Sequence, residues 1–296
     1  MREPLALPHS ERLDCRLGTV ARPVISWIFM LAAGLMLLPQ AASSQSAPAK
    51  QEEALMSQQV KAELAPTGVL RAGINLSNFL LVTGRTDAGD PVGVAPDMAG
   101  EIARRLGVPV KYVAYKTPGE LADMADSGAW DIGLIGAEPQ RAEKIIFTPA
   151  YVEIEATYLV PAGSKLNAIA NVDRPGVRIA VTGRSAYGLW LDRNIKQAEL
   201  VKSGSLDSAY EEFVARKLDA LAGLRPRLLS DVEKLPGARI LEGQFTAVQQ
   251  AIGTARGNTA SAEFLRQFVA EAKASGFVAG LIAKHKVRGL SVAPPA

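Results

Sequence analysis

Strand-like and helix-like segments alternate along the chain from Val69 to His285, and this alternation constrains the fold more than any other feature. The first series predicts strands over 69–75, 110–115 and 131–135 and helices over 94–106 and 120–125. In the first of these helices Asp97 is the predicted N-cap, and Gly107 is the predicted end. Such a run of βαβ units predicts an α/β protein whose parallel sheet carries helices on its faces.

A second series with the same alternation begins after Gly163. Its predicted strands are 177–181, 199–202, 220–224 and 239–241, and its predicted helices are 186–195, 205–218, 227–235, 260–274 and 278–285. Ligands of open parallel sheets bind outside the carboxyl ends of the strands, so two such sheets that face each other form a cleft. The extended stretches 156–161 and 245–254 are the predicted crossings between two lobes, and hinge closure is the predicted motion.

The chain before these series predicts export. Residues 24–38 form an uncharged apolar run of 15 residues, which is shorter than the roughly 20 that a membrane span needs. Basic residues precede this run and small residues follow it: Arg12, Arg16 and Arg22 before, and Ala41, Ala42, Ser43 and Ser44 after. This order is typical of a secretory signal peptide, here assigned to 1–44. An uncleaved N-terminal anchor is the alternative interpretation.

The remaining domain boundaries follow from the same patterns. Residues 45–67 are assigned to a linker and a short helix. Lobe 1 is assigned to 68–160 plus 246–296, and lobe 2 to 161–245.

Composition excludes several classes of function. The net charge of +3 is small for 296 residues, so a nucleic-acid-binding protein is not expected. Cys15 is the single cysteine, which excludes an intrachain disulfide and a cysteine-based metal cluster. The two histidines, His9 and His285, are far apart in sequence, which excludes a His-rich metal site. We predict no cofactor. A Ser-His-Asp hydrolase would have only His285 as its base.

An ordered set of motifs resembles a known family. The motifs are Gly68-Val69-Leu70-Arg71-Ala72-Gly73, Gly93-Val94-Ala95-Pro96-Asp97-Met98-Ala99, Gly128-Ala129-Trp130-Asp131, Arg141 with Phe147-Thr148-Pro149-Ala150-Tyr151, and Arg216-Lys217-Leu218-Asp219-Ala220. Together they resemble the bacterial extracellular solute-binding proteins, family 3, which serve polar amino acid uptake by ABC transporters. The resemblance implies a two-lobed periplasmic-binding-protein fold of type II, the Venus-flytrap fold, with its ligand in the cleft between the lobes.

The resemblance also implies which residues bind the ligand carboxylate. It assigns this role to Arg141, whose guanidinium can offer two parallel N–H groups, and to the turn of Arg184 and Ser185. A helix starts at this turn, where free N–H groups and the helix dipole favour an anion. The alternative roles are a solvated surface arginine for Arg141 and a simple helix cap for Ser185.

Other positions match the family less closely. Gly136, Ala137 and Glu138 occupy a shortened loop without the usual hydroxyl groups, so backbone contacts from Gly136 and Ala137 are expected. Asn78 and Phe79 occupy the loop where the family places an aromatic ring over the ligand, although Phe79 fits a core position equally well.

One departure from the family affects the predicted ligand. Where the family often has an acid that holds the ligand ammonium, this chain has Leu224, followed by Arg225. With Arg141 and Arg184, Arg225 favours a small anionic solute, either an organic acid or an amino-acid-like compound. Glu138 is the residue that could replace the missing acid.

These features predict a monomeric periplasmic protein that delivers a small solute to the membrane permease of an ABC transporter and catalyses no reaction. One alternative is a periplasmic dehydratase that acts on prephenate-like acids, with Glu138 as its acid. Another is a ligand sensor or adaptor.

We predict that export removes the signal peptide by cleavage between about Ala41 and Ala49, because small residues follow the apolar run there. N-terminal sequencing of the protein from the periplasmic fraction tests the cleavage. Recovery of a mature protein that retains residues 24–38 would contradict it.

Overall fold

The computed structural model describes residues 47–295, so the predicted signal peptide lies outside the described residues. The helices are α1 (Ala47–Leu64), α2 (Val94–Leu106), α3 (Pro118–Asp123), α4 (Pro139–Ala142), α5 (Ala186–Asn194), α6 (Leu206–Ala215), α7 (Arg225–Val232), α8 (Thr259–Ala274) and α9 (Phe277–Lys284). The strands are β1 (Leu70–Asn75), β2 (Gly84–Arg85), β3 (Pro91–Val92), β4 (Val110–Tyr115), β5 (Ile132–Gly136), β6 (Ile145–Phe147), β7 (Val152–Val160), β8 (Arg178–Thr182), β9 (Glu199–Ser203), β10 (Ala220–Leu224), β11 (Arg239–Ile240), β12 (Thr246–Ala255) and β13 (Ser291–Val292).

One sheet carries two parallel halves. Its strand order is β4-β1-β5-β12-β7-β10-β8-β9, while β6 pairs with β12, and β11 and β13 pair with β7. The first half, β4-β1-β5, is parallel throughout, and so is the second half, β10-β8-β9. β7 and β12 run antiparallel between them, with Ile154 opposite Val248. The two extended stretches predicted from the sequence are these connecting strands.

Helices pack against this sheet through apolar side chains. β5 is buried along its whole length, as expected for a strand covered on both faces. In the first half, α2 buries an apolar stripe that includes Met98 and Ile102. Tyr158 and Phe268 are among the largest fully buried side chains. No helix within residues 47–295 is long and apolar enough to span a membrane.

The predicted N-cap of α2 is wrong. The helix begins at Val94 after Gly93, and Asp97 lies in its first turn. Pro96 fits there because the first N–H groups of a helix have no intrahelical partner. The Asp97 carboxylate instead lies 2.7 Å from Lys284 Nζ, at the end of α9, and 2.7 Å from Nε2 of the next residue, His285. The predicted end of the helix is confirmed, since Gly107 has the left-handed φ of 66°.

A largely buried ion pair joins β1 to the residue before β5. Asp131 Oδ2 accepts hydrogen bonds from Arg71 N at 2.7 Å and from Arg71 Nε at 3.0 Å. Asp131 Oδ1 accepts a third from Arg71 Nη2 at 2.5 Å. The Asp131 side chain is only 3% exposed, so these bonds satisfy a carboxylate that water scarcely reaches.

We expect Asp131→Ala to lower the free energy of unfolding by about 2 kcal/mol, because it leaves a main-chain N–H and a partly buried guanidinium without their partner. Urea unfolding followed by circular dichroism measures the loss. The control is Glu263→Gln, which removes an exposed ion pair with Arg266 and should cost less than about 1 kcal/mol. Equal losses in the two variants would contradict this role of Asp131.

Candidate functional site

A cavity of about 540 Å³ lies where the parallel strands of both halves end. Every strand of the first half contributes the residues that follow it, and so does every strand of the second half. The first half provides Asn75 to Phe79 at and after the end of β1, Lys116 to Pro118 after β4, and Gly136 and Arg141 at and after the end of β5. The second half provides Thr182 to Tyr187 at and after the end of β8, Gly204 to Asp207 after β9, and Leu224 to Lys234 at and after the end of β10, although not every residue of each run lines the cavity. This is the position expected for the ligand of such sheets.

Arg141 is the most deeply buried cation of this cavity. It is 6% exposed, and burial lowers the pKa of its guanidinium to about 10, so the group stays protonated at neutral pH. Its Nη1 donates to the carbonyl of Gly136 at 2.6 Å, and its Nη2 donates to the carbonyl of Arg184 at 2.9 Å. These bonds use two of the five N–H groups of a guanidinium.

Gly136 allows the two halves to approach closely at the base of the cavity. A Cβ atom built on Gly136 would lie 2.8 Å from the Cβ of Ala186, which belongs to α5 in the second half. Real Cβ atoms do not come so close, so a side chain here would push the halves apart. Gly136 therefore permits this close approach because it has no side chain.

Ser185 caps α5, which is one of the two roles that the sequence predicted for it. Its Oγ accepts a hydrogen bond from Gly188 N at 3.0 Å and donates one to the carbonyl of Thr182 at 2.7 Å. The next residues, Ala186 and Tyr187, also line the cavity. Their N–H groups lie in the first turn of α5, where a helix leaves donors without intrahelical acceptors.

Arg184 bridges the two halves and lies outside the cavity lining. Its Nη2 donates to Asp123 Oδ1 at 2.5 Å and to the carbonyl of Gly119 at 3.2 Å, both on α3 of the first half. A Cβ on Gly119 would lie 2.9 Å from the guanidinium carbon. The ion pair lowers the pKa of Asp123. Arg184 thus directs its positive charge to α3, away from the cavity lining.

The shortened loop after β5 also differs from the expectation. Glu138 is 9% exposed, but its Oε2 accepts a hydrogen bond from Arg193 at 2.5 Å, and it lies outside the cavity lining. Ala137 donates its N–H to the carbonyl of Gln249, which continues the sheet. The structure therefore brings only Gly136 of the three predicted residues to the cavity.

Arg225 lies outside the cavity as well. Its Nε donates to Glu155 Oε2 at 2.5 Å, and its Nη2 donates to the carbonyl of Gly243. Its neighbour Leu224 does line the cavity, because it is the last residue of β10. The sequence predicted that Arg225 adds positive charge to the site, but the structure places this arginine outside the cavity lining.

Asn78 and Phe79 both line the cavity. Asn78 is 7% exposed, and its Oδ1 accepts a hydrogen bond from Leu80 N at 3.2 Å, which orders the loop. Phe79 is 40% exposed, so it is not a core residue. Its ring is available to cover a ligand.

Sequence reasoning missed three cations and one acid that line the cavity: Lys116, Arg227, Lys234 and Asp207. Lys116 could have been found, because it directly follows a correctly predicted strand. Arg227 and Lys234 gave no such signal, since they lie on and just after α7 among other polar residues. In residues 47–295 no group of three or more His, Cys, Asp or Glu side chains could hold a metal ion.

Comparison with known proteins agrees with this architecture. The family model of bacterial extracellular solute-binding proteins, family 3, matches residues 73–287, well over half of the chain. The chain belongs to this family. Its members have the two-lobed periplasmic-binding-protein fold, and the parallel halves described above are the cores of two lobes. A search of curated proteins finds no significant match.

Several solved structures share the fold at low sequence identity. A mutant of ArgBP from T. maritima is 22% identical, with a TM-score of 0.63 over 77% of this chain and 100% of its own. The cysteine-binding protein from Campylobacter jejuni is 17% identical, with a TM-score of 0.62 over 77% and 92%. The ancestral amino acid-binding protein AncCDT-1, a precursor of cyclohexadienyl dehydratase, is 20% identical, with a TM-score of 0.61 over 75% and 97%.

In this solute-binding protein we expect Asp123→Asn to shift the ligand-free protein toward an open cleft, because it removes the ion pair across the cleft. The pair is more than half exposed on both sides, so the shift should be small, about 0.2–1 kcal/mol. Distances between spin labels on Lys111→Cys and Glu211→Cys, one on each lobe, report the shift, since the only native cysteine is Cys15.

Asp126→Asn is a matched control for this measurement. Asp126 is as exposed as Asp123, at 58%, but it pairs with Lys144 of its own lobe. The label distances should not change in this variant. An equal change in both variants would show that Arg184 and Asp123 do not control closure.

Proposed function

We propose that this protein is a periplasmic solute-binding protein that captures a small anionic solute and delivers it to the permease of an ABC transporter. Membership of the family supports solute binding, and the predicted signal peptide supports the periplasm. We also propose that the protein is a monomer, because a cleft between two lobes of one chain provides a complete site.

The charge of the cavity lining is the observation that supports an anionic ligand. Four cationic side chains line the cavity: Lys116, Arg141, Arg227 and Lys234. Within the described part of the chain, Asp207 is the single acid in this lining. A cleft lined mostly by one sign of charge concentrates solutes of the opposite sign and favours their binding.

Arg141 and the start of α5 provide a place for a carboxylate. The hydrogen bond from Arg141 Nη2 to the carbonyl of Arg184 brings the guanidinium to the residue that precedes the cap, Ser185. One carboxylate could then accept hydrogen bonds from two sets of donors. These are the remaining N–H groups of Arg141 and the first-turn N–H groups of Ala186 and Tyr187. Charge-assisted hydrogen bonds to such a planar fork are strong and specific.

Leu224 argues against a standard zwitterionic amino acid. It lines the cavity at the end of β10, where the resemblance places an acid for the ligand ammonium. An ammonium that is buried beside an apolar side chain costs free energy unless another anion pairs with it. Glu138 does not fill this role, because its carboxylate is held by Arg193 outside the cavity lining.

The dehydratase alternative finds little support in the site. A catalytic carboxyl needs a pKa raised by burial or by a like charge. Glu138 lies outside the cavity lining, and Asp207 is 81% exposed and paired with Arg227 at 2.8 Å. The similarity to AncCDT-1 concerns the fold, which does not specify a reaction.

Isothermal calorimetry against standard amino acids, monocarboxylates and dicarboxylates tests the proposed ligand class. We expect carboxylates without an ammonium group to bind, and Arg141→Ala to weaken their binding by about 2–5 kcal/mol through loss of a buried charge partner. Arg141→Lys should restore little, because a lysine cannot form the forked pair.

Arg225→Ala is the matched control, since this arginine lies outside the cavity lining and pairs with Glu155. Its carboxylate affinity should equal that of the unmodified protein. Tight binding of an unmodified α-amino acid, without binding of any simple carboxylate, would contradict the proposed function.

A further inference from the structure

The cavity continues past the strand ends along α7. Arg227 and Ser230, three residues apart, lie on one face of this helix, Lys234 lies just past its C-terminal end, and all three line the cavity. Asp207, in the first turn of α6, lines the same part of the cavity. We call these four residues the α6–α7 subsite.

A buried carboxylate holds the cations of this subsite in place. Asp231 is 1% exposed, and its Oδ2 accepts a hydrogen bond from Arg227 Nε at 2.8 Å. Its Oδ1 accepts another from Lys234 Nζ at 3.2 Å. Because a buried carboxylate requires charged partners, Asp231 fixes both cations beside the cavity before any ligand arrives.

Asp207 is a weak and replaceable partner by comparison. Its Oδ1 lies 2.8 Å from Arg227 Nη2, but its side chain is 81% exposed, whereas that of Arg227 is 17% exposed. Ion pairs with such an exposed partner contribute little to stability. An anionic group of a ligand can therefore take the place of Asp207 on Arg227 without disturbing the pair with Asp231.

The subsite also lies on the other lobe from Arg141. Arg141 follows β5 in the first half, whereas Arg227 and Lys234 follow β10 in the second half. A cavity of about 540 Å³ is within the usual range for small-molecule sites and has room for more than one anionic group. A solute that binds cations on both lobes stabilises the closed form, which is the bound state in hinge closure.

We propose that the α6–α7 subsite binds a second anionic group of the solute, so that the preferred ligands are compact dianions such as dicarboxylates. This inference rests on the proposed function, in which Arg141 binds the first carboxylate. Asp207 then limits the affinity, because its negative charge competes with the second anionic group for Arg227.

Matched pairs of compounds test the subsite by isothermal calorimetry at constant ionic strength. Each dicarboxylate from succinate to pimelate is compared with the monocarboxylate of the same carbon number, for example glutarate with valerate. The measured quantity is the ratio of their affinities. We expect at least a tenfold preference for the best dicarboxylate of the series.

Two single variants should move this ratio in opposite directions. Asp207→Asn removes the competing charge and should raise the dicarboxylate preference severalfold. Lys234→Gln removes an attracting charge and should lower it severalfold. Both side chains are more than half exposed, so both variants should fold. Lys111→Gln, an exposed lysine on β4, is the control and should leave the ratio unchanged.

The double variant Arg227→Gln with Asp231→Asn removes both charges of the buried pair at once, so that no buried carboxylate is left unpaired. It should abolish the preference for dicarboxylates. Circular dichroism and a thermal melt confirm that the protein has folded before its affinities are compared.

The possible failures are distinguishable. If monocarboxylates bind as tightly as dicarboxylates, or if Asp207→Asn lowers the preference, the α6–α7 subsite is wrong while the proposed function stands. If no carboxylate of either series binds, the proposed function fails and this inference fails with it.

Discussion

The antiparallel pairing of β7 with β12 is the constraint on which the site depends. β7 hydrogen-bonds to β10 of the second half, with Leu159 opposite Leu221, and β12 hydrogen-bonds to β5 of the first half, with Ile135 opposite Ala251. These two long strands therefore join two parallel half-sheets through continuous backbone hydrogen bonds. Because the strands of both halves end at the same cavity, residues at six strand ends that are far apart in sequence line one site.

Arg141 joins the two halves at the proposed ligand site. Its guanidinium donates to one carbonyl in each half, on Gly136 and on Arg184. Residue 136 must be glycine for the halves to come this close. A charge that is already desolvated and oriented loses little further freedom when a carboxylate binds, which favours affinity. The same contacts depend on the halves being together, so in the proposed function recognition and closure share one set of atoms.

The distribution of charge around the cavity follows from which ion pairs are internal to the protein. Glu138, Asp123 and Glu155 each hold an arginine, and those arginines lie outside the cavity lining. Arg227 and Lys234 also have a partner, Asp231, but they remain in the cavity lining. The net result is an excess of cations at the site, although the chain as a whole carries a charge of only +3. The proposed ligand class thus rests on the local charge of the cleft.

The sequence by itself determined the local elements and the family. Ser185 and Gly107 mark the start of α5 and the end of α2, because a cap and a left-handed stop depend only on neighbouring residues. Hydrophobic periodicity likewise located β4 and β10 at their observed residues, 110–115 and 220–224.

The tertiary structure alone decided which charges reach the cavity. An arginine side chain is long, and its partner is chosen among residues that are distant in sequence. Arg225 pairs with Glu155 and leaves the cavity lining, whereas Arg227, two residues later, is held at the cavity by Asp231. The physical reason is that ion pairing and burial depend on the packing of whole elements, and no periodicity or motif encodes that arrangement.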